Sequence, residues 1–420
     1  MRGLWVVAAL AGCGLLAGNS AAVHAAEQVR PYPHYWMSVS TSNQSIPGMS
    51  AEMSGMGGMF GGRGAFGPKR ELILQVESPR SPAESPRADH AIPPGQNMGA
   101  TLPLITPIVE KSERVPQERR RMEYEKPKAR MLIYWGCGEN IGKGQPRILD
   151  TARMSPEDFG RAFTGHTPTR QSPPSAHKGW VYGEWPNKDD KKDVPKDSSL
   201  VGSHLVRGNY LPDIGFSLDR KRDFMAPVTF SSIQATPAGA TIVEWQSIPT
   251  AIGYFAAAMA HDQKTGDSIF WSASEMPEVG FALQDYLSPA DVSRFIRERV
   301  VMDPSRTTCT VPPIFKDVQG AMLQFIAYGE ELNLVHPPRP KNPGHPWDPQ
   351  WSVKVRLKST GMTMLRDGNE GRDRKSRPRK SRPADDDSSA PRVRDESSDG
   401  DSDKSRPGIG GSIIKGIFGF

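Results

Sequence analysis

Apolar residues are scarce in this chain. They make up 36% of its 420 residues, while glycine and proline occupy 41 and 39 positions. A compact enzyme carries a larger apolar share, so a good part of the chain must be loop. Proline at this density excludes long helices, because each one removes an N–H and clashes with the preceding turn. Cysteine is rarer still: Cys13, Cys137 and Cys309 are all there are. With no CxxC and no nearby histidine pair, metal binding through the cysteines is not expected. Neither sign of charge dominates. The formal +6 is the small difference between 53 basic and 47 acidic residues mixed along the chain, which argues against a nucleic-acid partner. The nucleophile elbow, the HExxH helix, the phosphate loop and the dinucleotide fingerprint are all missing. Catalysis is therefore the weaker reading, and no cofactor is expected.

What is present begins at the N-terminus. Arg2 precedes an apolar stretch from Gly3 to Gly18, then Asn19-Ser20, then the small residues Ala21-Ala22-Val23-His24-Ala25-Ala26. A single early cation, a short apolar run and a small-residue cleavage site make a secretory signal over 1–26, cut after Ala25 or Ala26. The run is glycine-interrupted and short of the roughly 20 residues that span a bilayer. Export to the periplasm or cell envelope, or secretion, is the expectation. Leu10-Ala11-Gly12-Cys13 also resembles a bacterial lipobox, and that resemblance implies lipidation of Cys13 as the alternative processing. In an oxidising compartment the remaining pair, Cys137 and Cys309, suggests a disulfide closing a very long loop. Two free buried thiols are the other reading.

The fold class expected is mainly β: one or two β-sandwich-like domains, a short helix, long Pro/Gly-rich loops and a disordered C-terminal tail. Residues 27–69 read as a Met/Gly-rich flexible segment, with a short strand near Tyr35-Trp36. A first β-rich unit covers 70–165, on the strand patterns Glu71–Glu77 and Arg130–Trp135. Residues 166–200 read as a Pro-rich linker. A β-sandwich-like domain covers 201–365, where Thr241, Val243 and Trp245 alternate on one strand face. Ser288-Pro289-Ala290-Asp291 predicts a helix start, with Ser288 as N-cap and Pro289 in the first helical position. Residues 366–407 repeat Lys-Ser-Arg-Pro around Asp385-Asp386-Asp387 and bury too little apolar area to fold. The last segment, 408–420, turns apolar again.

Trp245 on one strand and Tyr254 on the next, joined by a turn at Pro249 and Gly253, resemble a fibronectin type III-like segment near 226–330. That family packs such a Trp and Tyr together in the core, which makes Trp245 and Tyr254 core markers; Trp271, on the strand pattern that follows, is a third. The helix after Ser288 departs from the family. The whole chain resembles an uncharacterised family of exported proteins of Gram-negative bacteria, a likeness that carries no activity.

Chemistry-bearing residues are few. Met49, Met53, Met56 and Met59 in a flexible exported loop are candidate Cu(I) ligands, because thioethers are soft donors. The structural alternative is an inert low-complexity loop. His261-Asp262 at a strand end invites a catalytic reading, but neighbours on a strand face opposite ways. An active site would need a pocket near His261, His204 and Asp285. Ile413, Ile414, Ile417, Phe418 and Phe420 form an apolar surface around Lys415 that fits membrane contact through 408–420. The leading reading is a non-enzymatic envelope module that binds a protein or surface partner. The alternative is a secreted hydrolase or a periplasmic copper-handling protein.

Overall fold

A computed structural model describes residues 30–44, 67–107, 130–150, 153–155, 158, 165–342 and 345–365. The signal segment, Cys13, the four methionines and both C-terminal segments lie outside these residues. All described residues fall in one unit, Met1–Gly371.

The chain is mainly β. Its centre is a nine-stranded sheet ordered β6-β5-β13-β12-β15-β16-β1-β2-β7. The strands are β1 (His34–Gln44), β2 (Gly67–Ser78), β5 (Arg130–Trp135), β6 (Arg147–Asp150), β7 (Val181–Trp185), β12 (Gly253–His261), β13 (Ser268–Ser272), β15 (Met322–His336) and β16 (Trp351–Met364). Two pairings are parallel, β1 with β16 and β5 with β13. A four-stranded sheet runs β4 (Thr101–Leu104), β3 (Ala88–Ala91), β8 (Gly202–Gly208), β9 (Ile214–Leu218). A three-stranded sheet runs β10 (Phe230–Ala235), β11 (Thr241–Trp245), β14 (Thr308–Val311).

This pairing regroups the segments expected from sequence. Strands from 70–165 and from 201–365 share the large sheet, and β3 and β4 pair with β8 and β9 across the same divide. The stretch 166–200 contributes β7, and 27–69 contributes β1 and the start of β2. Alternation in a strand records which face is buried; it carries no label for the partner.

One face of the large sheet packs on the two small ones. Tyr35, Met37 and Val39 of β1, Leu72, Leu74 and Val76 of β2, and Val353, Val355 and Leu357 of β16 share a core with Leu102, Val206, Ile214, Val243 and Val311. Opposite them, β12 and β15 are covered by the helix α1 (Pro289–Arg297) and its flanks: Phe255, Ala257, Ile326 and Tyr328 meet Leu283, Leu287, Val292 and Phe295. Ser288 caps α1, its Oγ accepting from Asp291 N at 3.1 Å. The approach to that helix turns at Gly280, whose φ of +84° favours glycine, and a Cβ there would run into the Phe255 ring. Gly280→Ala is expected to destabilise the protein by about 2–4 kcal/mol, the left-handed penalty plus overpacking. A urea titration checks this, and a loss below 1 kcal/mol would contradict the packing described.

Candidate functional site

The face of β16, β1 and β2 turned away from the small sheets is polar, and its pattern follows from strand alternation. With Val353, Val355 and Leu357 pointing into the core, Lys354, Arg356 and Lys358 point the other way. The register places Trp36, Ser38 and Ser40 of β1 directly beside them. Trp36 lies under Lys354 Nζ at 5.3 Å and under the Arg356 guanidinium at 5.2 Å. Tyr286 covers the other side, 4.2 Å from Arg356 and 4.3 Å from Lys358 Nζ. Each contact is a cation over a ring face, a favourable quadrupole interaction that strengthens as water is excluded.

The two lysines carry carboxylates of their own. Lys354 meets Glu331 at 2.9 Å and Lys358 meets Asp285 at 2.8 Å. The Glu331 side chain is only 3% exposed, whereas that of Asp285 is 71% exposed at the rim. Arg356 has neutral partners: Nε donates to Ser38 Oγ at 2.8 Å and Nη1 to Gln171 Oε1 at 3.4 Å. Its burial pulls the guanidinium below its ordinary range. Burial also pushes the Tyr286 phenol well up, so it remains a neutral ring at physiological pH.

Gln171 belongs to an irregular strap, residues 165–177, laid across this face. His166 Nδ1 contacts the buried Glu278 at 3.0 Å. Thr169 N donates to Asp291 of α1 at 2.9 Å. Gln171 Nε2 then donates to Glu331 at 2.7 Å, and Pro174 O accepts from Gln75 of β2 at 3.2 Å. His177 and Trp180 end the crossing in an aromatic group with His34, the rings 5.3 and 6.0 Å apart.

Between the large sheet and the four-stranded sheet lies a second polar group, a buried chain. Tyr35 Oη, His90 and His204 are linked at 2.8 and 3.0 Å, and His204 Nε2 reaches Leu200 O at 2.7 Å. Phe216 stacks on His204 with ring centroids 5.0 Å apart. This chain is sealed within the core.

The three residues near which a catalytic pocket would be sought stand apart. His204 is in the buried chain. Asp285 pairs with Lys358 on the opposite face of the large sheet. His261 ends β12 in the open, and Asp262 closes the next turn by accepting from Lys264 N at 2.8 Å and Thr265 Oγ1 at 3.0 Å. Trp245, Tyr254 and Trp271 are buried. Trp245 meets Tyr254 edge-on at 5.7 Å, and Tyr254 Oη accepts from Ile248 N at 3.0 Å. Trp271 donates to Gly136 O at 3.0 Å. Beside it, Cys137 and Cys309 form a disulfide, with Cα atoms 5.2 Å apart, that ties the loop after β5 to β14.

Among the described residues no cluster of three or more His, Cys, Asp or Glu is arranged to hold a metal ion. No described helix is long and apolar enough to cross a membrane. No protein-family model matches the chain, and no curated protein sequence matches it. Tyr286, Gln171 and Arg356 were not singled out from sequence, and Trp36 was read only as part of a short strand. The spacing of Lys354, Arg356 and Lys358 was the available signal: three cations alternating with apolar residues on one strand share a face.

Proposed function

We propose that this chain is an exported cell-envelope protein acting as a non-enzymatic binding module, with the polar face of the large sheet as its contact surface. The observation that carries the reading is the row Lys354, Arg356, Lys358 interleaved with Trp36 and Tyr286. Aromatic side chains with a guanidinium are the groups enriched at contact surfaces, since they bring large rigid area and directed hydrogen bonds together. Export is supported by the N-terminal signal pattern and by the disulfide, which persists in oxidising compartments. The Trp245–Tyr254 pair supports a fibronectin type III-like character for 226–330.

Production of the full chain in a Gram-negative host tests the proposal. The protein is expected in the periplasmic or envelope fraction, with a mass corresponding to cleavage after Ala25 or Ala26. The purified mature protein is expected to co-sediment with isolated envelopes, and the triple variant Trp36→Ala, Lys354→Ala, Lys358→Ala to do so several-fold less. Full-length protein retained in the cytoplasm refutes export. Equal sedimentation of the variant refutes the assigned surface.

A further inference from the structure

Arg356 differs from the cations beside it. Glu331 stands directly opposite in the β15–β16 ladder, yet its carboxylate is taken by Lys354 and Gln171. Among the described residues no carboxylate oxygen lies within 4.0 Å of the Arg356 guanidinium. Its side chain is nevertheless buried, with the residue 9% exposed. Asp285 and Glu331 attract it from beyond contact distance, but burying a charge without a contact ion pair is costly, and a well-packed apolar side chain in the same place commonly gives equal or greater stability. The rings of Trp36 and Tyr286 hold the guanidinium without using its N–H donors. Ser38 satisfies Nε. Gln171, at 3.4 Å, is a long and weak acceptor on Nη1, and no described residue hydrogen-bonds Nη2. The donor edge that binds planar oxyanions through two parallel N–H bonds is thus left nearly free. Across Ser38, on β2, Ile73 is 47% exposed and offers apolar surface for the body of a ligand.

We propose that Arg356 receives an oxyanion group, carboxylate or phosphate, of a small soluble ligand that displaces Gln171 and lies over Ile73. Lys354 and Lys358 flank it with positive charge. Glu331 and Asp285 form their contact ion pairs with those lysines and act on the central guanidinium only from farther off, and Glu71 is held by Ser40 and Lys69, so the cation left without a carboxylate in contact is Arg356. This inference rests on the reading of the same face as the contact surface, and it names the chemistry recognised there.

The test uses the purified, disulfide-bonded mature chain. Melting temperature is followed against inorganic phosphate, glucuronate and glucose, with sodium chloride holding ionic strength constant. A saturable rise of several degrees is expected with phosphate, glucuronate or both, and none with glucose. Phosphate alone identifies a phosphoryl ligand, and glucuronate alone a carboxylate. Arg356→Met is expected to keep the ligand-free melting temperature and lose the shift. Arg356→Lys, which keeps the charge and loses the fork, is expected to bind at least tenfold more weakly. No shift with either anion overturns the proposal, as does an equal shift in Arg356→Met. If Arg356→Met does not fold, an unchanged affinity in Arg356→Lys overturns it. A chain that sediments with envelopes but ignores both anions refutes this inference alone. One that binds the anion yet stays in the cytoplasm refutes the export reading alone.

Discussion

Replacing Cys137 and Cys309 together by alanine is expected to lower the unfolding free energy by about 4–5 kcal/mol, near the top of the range for a single disulfide. The two residues are 172 positions apart. A crosslink over so long a loop removes more freedom from the unfolded chain than a short one does, since closure entropy grows with the logarithm of loop length. The backbone bonds beside the crosslink do not use the sulfur atoms: Gly138 N donates to Thr310 O at 2.7 Å and Gly136 N to Ser272 O at 3.0 Å. The effect therefore falls mainly on the unfolded state. Urea titration of the oxidised protein, the reduced protein and the double variant provides the measurement. Reduced protein and double variant are expected to coincide, well below the oxidised form. A difference under 1 kcal/mol would show that the crosslink constrains little.

Acid should destabilise the protein through the buried histidine chain. Its proton order follows from the donors available. Leu200 O can only accept, so His204 Nε2–H donates to it and His204 Nδ1 accepts from His90 Nε2–H. His90 Nδ1 is then left to accept from Tyr35 Oη–H. Both rings are neutral in this arrangement, and a proton added to either sets two N–H groups against each other or against the phenol. Burial lowers the pKa of His90 well below its ordinary value, with the neighbouring His204 as a second cause. Burial lowers that of His204 as well, against its hydrogen bond to Leu200. Tyr35 is pushed upward by burial and stays protonated.

Unfolding returns both imidazoles to a pKa near 6.5, so below that pH the unfolded chain binds protons that the native one does not. The stabilisation is fully present above pH 6.5. It is lost as the pH falls from 6.5 toward the lowered native values, at up to about 1.4 kcal/mol per pH unit for each ring. Urea midpoints between pH 7.5 and 5 test this. The double variant His90→Gln, His204→Gln is expected to be less stable at pH 7.5, with a flatter dependence below 6.5. Parallel pH profiles for variant and parent would assign the acid sensitivity to other groups.

Both effects involve residues whose types were visible in the sequence and whose partners were not. Cys137 and Cys309 could be paired on paper only because few cysteines exist, and free thiols stayed open until the fold brought the Cα atoms together. His90 and His204 lie on β3 and β8, far apart in the chain, and nothing in either strand's pattern announces the other. His166 and Gln171 fell in a stretch read as a linker, because Pro173 and Pro174 and the polar residues around them carry no periodicity. An extended strap held by side-chain hydrogen bonds looks like a loop in sequence.

Local composition determined a good deal. Scarce apolar residues and dense proline pointed to a mainly β fold with a short helix. Ser288-Pro289 marked where that helix starts, and alternation in Thr241–Trp245 marked a buried strand face. These are properties of a residue and its near neighbours, which a linear pattern records. Tertiary structure decided the rest: one large sheet drawing on both halves of the chain, the parallel pairing of β1 with β16, and hence the meeting of Trp36 with Arg356. Strand order is set by which faces can bury each other across hundreds of residues. Hydrogen-bonded ladders accept any partner of suitable length, so only the packed core selects among them.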